Sequence, residues 1–148
     1  MDAIETRYTP PERVRLRLVL APLVQGSTDP TARHTADGWW LTLRLASGIA
    51  TLLLRERADG VEARAWGPGA GQAIAGVPEL LGGDDDASGF DASRHPVVAR
   101  LHHETPGLRL ARAGRILPFL VPTVLGQKVT GIEQIGRASC RERVYDDV

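Results

Sequence analysis

A chain of 148 residues has room for one domain, or for one domain and part of another. Its hydrophobic share of 43% is enough for a core, and its charged share of 24% is ordinary, which argues against disorder. Eighteen basic residues balance eighteen acidic ones, so net charge predicts no polyanionic partner, although a local basic face stays open. No apolar run approaches membrane-spanning length and the N-terminus is too polar for a secretory signal, so we expect a cytoplasmic protein.

Residue usage is biased. The basic residues are seventeen arginines and one lysine, and asparagine is absent. This is typical of a GC-rich coding sequence, because lysine and asparagine codons are AT-rich, so Lys128 stands against the bias. The only cysteine is Cys140. The sequence therefore excludes a disulfide framework, a thiolate zinc site and an iron–sulfur cluster from residues 1–133.

The first half of the chain reads as strands. Residues 14–20, VRLRLVL, alternate and predict a strand whose buried face carries Val14, Leu16, Leu18 and Leu20. Residues 21–33 indicate a short turn of helix or a loop. An antiparallel meander with Gly turns is then predicted over residues 39–45, 49–57 and 61–66. Three tryptophans in it would suit base stacking, but packing within the sheet is the commoner role: Trp39, Trp40 and Trp66.

The second half reads as helices. Helical spacing of apolar residues predicts a helix over 69–82, and Pro96 in a first-turn position predicts another over 95–107. Residues 115–131 predict a third helix, which Pro122 should bend. Strands followed by helices give the α+β class.

Two glycine- or aspartate-rich loops imitate ligand sites. GPGAG at 67–71 lacks the Lys and Ser/Thr of a P-loop, so a strand-to-helix connection is favoured. In the loop 84–95, Asp84, Asp86 and Ser88 stand at positions 1, 3 and 5 of a calcium loop. Position 12 is His95 where a bidentate Glu is needed, which favours an acidic loop leading into a helix and predicts no metal site.

Two clusters on the helical half have open interpretations. His102 and His103 are adjacent on a helix, where side chains diverge by about 100°, so we expect surface residues and no shared metal. Arg109, Arg112 and Arg115 precede the predicted bent helix and would suit phosphate groups, but a solvated basic edge explains them at least as well.

Residues 107–131, GLRLARAGRILPFLVPTVLGQKVTG, resemble the segment of 3-methyladenine DNA glycosylases that carries a PGLR…G…ILGQQVS pattern. That family belongs to the helix-hairpin-helix glycosylase superfamily. Three further blocks, ARAWGPGA, GVPELLGGDDDASGF and RHPVV, are similar to high-GC, actinobacterial-type members. The likeness runs from about Val14 to Glu133.

The resemblance implies an N-terminal antiparallel β domain followed by the first helices of an all-α glycosylase core. Such enzymes flip an alkylated base out of double-stranded DNA and hydrolyse its N-glycosidic bond, because the bond is out of reach inside the stack. An aspartate stabilises the cationic sugar as the base leaves. The resemblance implies no redox cofactor and a monomer. The aspartate and the helix-hairpin-helix are expected downstream of residue 133, so no catalytic residue is assigned in this chain.

Carried over by position, Gln127 and Lys128 fall where the family places a GQ pair and the residue that wedges into the gap left by the flipped base. Lys128 departs from members that have Leu there; its methylenes would cover the vacated stack while its ammonium meets a phosphate or base edge. Arg115 is the third residue assigned to DNA. Without the resemblance, a non-catalytic α+β module that binds DNA or another partner is the alternative.

The tail has a separate expected origin. Residues 135–144, IGRASCRERV, are the translation of ATC GGA AGA GCG TCG TGT AGG GAA AGA GTG, which resembles a common sequencing adapter read in frame. We therefore expect the tail to be non-native and exclude it from functional reasoning. The predicted organisation is a β domain over 1–68, the start of a helical domain over 69–134, and the adapter-derived tail over 135–148.

Overall fold

The computed structural model describes residues 2–24, 29–114, 120–121, 123–124 and 127. It divides into two compact units, Met1–Arg112 and Ala113–Val148. The fold is α+β: five antiparallel strands make one sheet in the order β1-β5-β4-β3-β2, and helices follow. The strands are β1 (Ile4–Tyr8), β2 (Ala32–Thr35), β3 (Gly38–Leu45), β4 (Gly48–Arg57) and β5 (Gly60–Trp66). No helix of the described ranges has the length and apolar character to cross a membrane.

The predicted meander is confirmed as β3, β4 and β5. Its second hairpin turns at Ala58-Asp59, and Gly60, the first residue of β5, pairs with Arg57 and has a φ of +149°. A side chain there would strike the carbonyl oxygen of Tyr8, because β1 runs alongside. Glycine is therefore required at this turn both by the backbone angle and by the close approach of β1.

Two edge strands complete the sheet where the sequence predicted none. β1 pairs with β5, and β2 pairs with β3. Both are short, five and four residues, and both have mixed polar composition. Alternation over so few residues is a weak signal, so pairing with the long neighbouring strand determines these elements.

The strand predicted over 14–20 is wrong: residues Leu16–Leu20 form a helix, α1. Its buried residues are Leu16, Val19 and Leu20, at helical spacing, while Leu18 is half-buried. The arginines between them are exposed in either arrangement, which is why the alternation misled. Since β1 and β2 occupy both edges of the sheet, this segment packs against β4 instead of pairing with it.

The helix predicted over 69–82 is present but divided at Gly76 into α2 (Ala70–Ala75) and α3 (Val77–Leu80). Pro78 lies in the first turn of α3, where a missing N–H costs nothing. GPGAG is confirmed as the connection from β5 to α2. The core lies between the helices and one face of the sheet; its fully enclosed members include Leu16, Leu20, Leu52, Leu54, Val61, Val77 and Leu81.

The helix predicted after Pro96 is confirmed as α4 (Pro96–Glu104). The His95 Nδ1 accepts a hydrogen bond from the Val97 N–H at 3.3 Å and caps it. None of its residues is buried, and Val97 and Leu101 are about half exposed. The bend predicted at Pro122 lies outside the described residues; residues 120, 121, 123 and 124 are helical.

Candidate functional site

The outer face of the sheet, opposite the core, carries the main concentration of charged and aromatic side chains. Because side chains alternate along a strand, the register sorts them without ambiguity. Ala63 and Leu54 face each other on the buried side, whereas Glu62 and Arg55 face each other outside. The outer face, as we use the term, consists of the outward residues of all five strands: Glu5, Arg7, Arg33, Thr35, Trp40, Thr42, Arg44, Ile49, Thr51, Leu53, Arg55, Arg57, Glu62, Arg64 and Trp66.

Two tryptophans stack on this face. The rings of Trp40 and Trp66 have centroids 5.6 Å apart and planes inclined by 22°. The strand between them is β4, and its Leu53, which pairs with Trp40 in the register, is only 2% exposed although it points outward. The Trp40 Nε1–H donates to Thr35 Oγ1 at 3.2 Å, which fixes the orientation of its indole.

The three tryptophans differ in which face of the sheet they occupy. Trp39 is buried on the core face, with its ring 4.8 Å from that of His34, and packs within the sheet. Trp40 and Trp66 are half-buried and form an aromatic surface on the outer face. Such a surface is a platform on which a planar ligand can stack.

A single carboxylate holds three guanidinium groups beside the tryptophans. Glu62 receives Arg57 Nη2 at 2.6 Å, Arg64 Nε at 3.0 Å and Arg55 Nη1 at 3.3 Å. The hydrogen bond from Arg57 is the main reason that the pKa of Glu62 lies below its usual value, and Arg55 and Arg64 act in the same direction. Arg64 Nε also lies 3.4 Å from Glu5 Oε1, so three positive charges against two negative ones leave this cluster cationic, with its side chains held in place.

Two more outer-face arginines have no ion pair among the described residues. Arg33 lies on β2, directly opposite Trp40, and Arg44 lies on β3 opposite Ile49; both are exposed. On the strands of the outer face there are six arginines against two glutamates, an excess of four positive charges. A chain with zero net charge thus has a locally cationic face, which is the open possibility left by its composition.

A pocket of about 270 Å³ lies beside Trp40. Its lining includes Arg33, Thr35, Thr42 and Thr51. The pocket thus combines an aromatic ring, several hydroxyls and a guanidinium that has no ion pair within the described part of the chain. These groups can stack on a planar ring, bind an anion and exchange hydrogen bonds with polar ring edges. Sequence reasoning missed this combination, because only the strand register shows that these side chains point the same way.

Of the three predicted DNA-binding residues, the structure describes only Gln127. Arg115 and Lys128 are outside the described residues. Gln127 is exposed in a turn, and its backbone N–H donates to the Val124 carbonyl at 3.4 Å. Their assignment to DNA stays a prediction.

The arginines that precede them are engaged within the protein. Arg109 forms an ion pair with Glu12, and Arg112 Nη1 lies 3.1 Å from Asp84 Oδ2. Gly107, with a φ of +79°, lies against the Arg13 backbone so closely that a side chain would collide with its carbonyl oxygen. The PGLR block therefore ties the chain after α4 to the segment before α1.

The acidic loop binds its own neighbours. The Leu110 N–H donates to Asp85 Oδ2 at 3.0 Å, the Ser88 N–H to Asp86 Oδ1 at 2.9 Å, and the Ser93 N–H to Asp91 Oδ1 at 3.0 Å. Such bonds lower the pKa of Asp86 and Asp91. Across the described ranges no three His, Cys, Asp or Glu side chains are placed to hold a metal ion. The loop leads through a short 3₁₀ helix, Ala92–Arg94, into α4.

The paired histidines lie on the surface, as the sequence predicted. Both His102 and His103 are exposed, and the ring of Phe90 lies 5.6 Å from that of His102.

Comparison of the chain with protein family models, curated proteins and solved structures gives no match. Function therefore has to be argued from the residues themselves.

Proposed function

We propose that the chain is the N-terminal part of an alkylbase DNA glycosylase of the 3-methyladenine type, active in base excision repair in the cytoplasm. The observation that carries this proposal is the segment 106–131, in which the LGQKVTG block follows PGLR in the order of the family pattern. The three other blocks all precede this segment, in the expected order. The catalytic aspartate and the helix-hairpin-helix would come from chain beyond residue 133.

The fold is compatible with this proposal. An antiparallel sheet precedes the helices, which is the order that the resemblance implies. Gly107 of the PGLR block is held against the backbone of Arg13, so this glycine has a structural reason to be present. In the proposed reaction the chain contributes scaffold and one DNA-probing segment, in which Gln127 and Lys128 would meet the gap left by the flipped base.

An abasic-site release assay tests the proposal. Residues 1–133 joined to the downstream half of a 3-methyladenine glycosylase should release bases from alkylated duplex DNA, whereas residues 1–148 alone should not. The matched control is the same joined protein with the catalytic aspartate of the downstream half changed to asparagine. A folded joined protein without base release would contradict the proposal, and release by residues 1–148 alone would contradict the downstream position of the aspartate.

Lys128 has a test of its own in the joined protein. Lys128→Ala should weaken binding to lesion-containing duplex by about tenfold, because the side chain that fills the vacated stack and meets the backbone is removed. Arg94→Ala, at an exposed position on a different segment, is the control. Unchanged affinity and turnover would remove Lys128 from the wedge position.

The second candidate is a non-catalytic module that binds nucleic acid. The outer face favours it, because stacked tryptophans can bind a ligand together with arginines that have no ion pair among the described residues, without catalysis. A non-catalytic chain excludes the first candidate, whereas the binding face by itself does not, since a repair enzyme can carry a separate binding face.

A further inference from the structure

We infer that the outer face of the sheet binds single-stranded DNA, with one base in the pocket beside Trp40 and the backbone along the arginines. That the ligand is an unpaired nucleic-acid strand is inferred from the residues that the sheet register places on the outer face. The choice of DNA over RNA rests on the proposed function.

The outer face presents aromatic rings on which a base can stack. Trp40 and Trp66 are the outward aromatic residues of the strands, and they stack instead of separating into the core. The pocket of about 270 Å³ opens beside Trp40, and Arg33 lies opposite that ring in the register. A base in the pocket would contact a lining that includes both Trp40 and Arg33. Stacking of this kind contributes about 1–3 kcal/mol per base and tolerates any sequence.

The second argument is charge complementarity. The six outward arginines outnumber the two outward glutamates, and Arg33 and Arg44 have no ion pair within the described ranges. Glu62 orders three other guanidinium groups at 2.6–3.3 Å. Glu5 also pairs with Arg64, which leaves one net positive charge on this cluster, and Asp59 pairs with Arg7. A polyanion is therefore the partner that this face attracts, and its arginines are already positioned to meet it.

The five-stranded sheet is wider than the major groove of duplex DNA. Five strands at a spacing of about 4.8 Å span roughly 19 Å, whereas the major groove of duplex DNA is about 12 Å wide and admits a helix or a two-stranded ribbon. The outer face cannot enter that groove. The bases of a duplex are also stacked on each other and would leave the tryptophans unused. An acidic polypeptide would engage the arginines but not the aromatic pocket. An unpaired strand uses both.

The test is a titration of the 148-residue protein with a twelve-nucleotide thymidine oligonucleotide, followed by tryptophan emission. The oligonucleotide should quench the tryptophan emission and bind with a salt-sensitive Kd. The matching duplex, polyglutamate and an oligouridylate of equal length should all bind more weakly. Tighter or equal binding of the duplex or of polyglutamate would overturn the inference of an unpaired strand. Tighter or equal binding of the ribonucleotide would overturn the choice of DNA.

Variants separate stacking from charge. Trp66→Leu should weaken thymidine binding about tenfold, with Phe90→Leu, an exposed aromatic outside the sheet, as the matched control. Arg33→Gln should reduce the slope of log K against log salt by about 0.7, the value for one phosphate contact on a single strand, with Arg94→Gln as its control. Equal effects of the controls, or no effect of Arg33→Gln, would overturn the inference.

Folding is monitored by the thermal melt of every variant, and Arg33 is exposed on an edge strand, so its variant stays informative if Trp66→Leu unfolds. The binding assay needs no catalysis. Thymidine binding without base release by the joined protein would therefore contradict the glycosylase proposal alone, and base release without thymidine binding would contradict only the face.

Discussion

Glu62 holds the largest cluster of charges in the described structure, and its side chain is only 17% exposed. Its pKa is lowered, chiefly by the hydrogen bond from Arg57. A carboxyl whose pKa is lower in the folded state contributes stability above its unfolded pKa, and the contribution is lost as the pH falls through the folded value. Glu62 should therefore stabilise the fold at neutral pH and lose that effect in acid.

Glu62→Gln should lower the free energy of unfolding by about 1 kcal/mol at pH 7, because three guanidinium groups lose their common anion. The difference between variant and parent should shrink as the pH falls below the ordinary carboxyl range. Urea unfolding at pH 7 and pH 3 measures it. Glu79→Gln is the control, since Glu79 has no ion pair among the described residues. A difference that is the same at both pH values would contradict this assignment.

The glycines at two loop positions differ in what a methyl group would meet. Gly60 combines a φ of +149° with the neighbouring Tyr8 carbonyl oxygen, whereas Gly89 has open space around it. Gly60→Ala should therefore cost about 2 kcal/mol or more, and Gly89→Ala should be neutral or slightly stabilising. Thermal melts of the two variants make the comparison. A Gly60→Ala protein as stable as its parent would show that the turn at β4–β5 is formed differently.

At the scale of elements, two features decided what the sequence could predict: the length of a segment and the Gly or Pro residues at its ends. β3, β4 and β5 are long and separated by Gly turns, and α4 starts at a proline, so their patterns are unambiguous. The seven residues 14–20 fit a period of two and a helical period equally well, and only the full set of sheet partners decides between them. β1 and β2 exist for the same reason: each completes an edge.

The candidate site was predictable only in part. The sequence shows three tryptophans and many arginines, but the outward direction of Trp40 depends on register, and a slip of one residue would exchange it with Trp39. The cluster at Glu62 draws on two strands and on positions two to seven residues away, which no local motif encodes. The residues predicted from the family resemblance belong to a different part of the chain.

The helix α1 and the strand interpretation of the same residues predict opposite orders for the effects of two substitutions on stability. In the helix Val19 is 1% exposed and Leu18 is half-buried, whereas a strand would bury Leu18 and expose Val19. Val19→Ala should therefore cost about 2 kcal/mol, and more than Leu18→Ala, although leucine loses the larger side chain. Urea unfolding of the two variants measures the order, with Arg17→Ala as an exposed control. The opposite order would contradict the helix.

At the scale of the whole molecule, a zero net charge conceals separated charges. The outer face has an excess of four positive charges, while the loop after α3 contains four aspartates between Asp84 and Asp91. One of them, Asp84, is paired with Arg112, and the face keeps arginines without partners in the described ranges. A cationic face on a neutral protein draws a polyanion to one side of the molecule and makes binding depend on salt.

The limits of the first unit lead to the last prediction. The buried hydrophobic residues of the described structure all lie between Val14 and Leu81. Helices α2 and α3 supply four of them, Ala70, Ala73, Val77 and Leu80, and Leu81 follows α3 directly. Residues 1–112 should therefore unfold in one cooperative transition, with a midpoint close to that of residues 1–148. Residues 1–68, which keep every strand but lose those helices, should not, because one face of the sheet would lie open to water. Circular dichroism and urea unfolding of the three chains test this. A cooperative transition for residues 1–68 would mean that the sheet is a domain by itself, and its absence for residues 1–112 would mean that the later segment is needed for the first unit to fold.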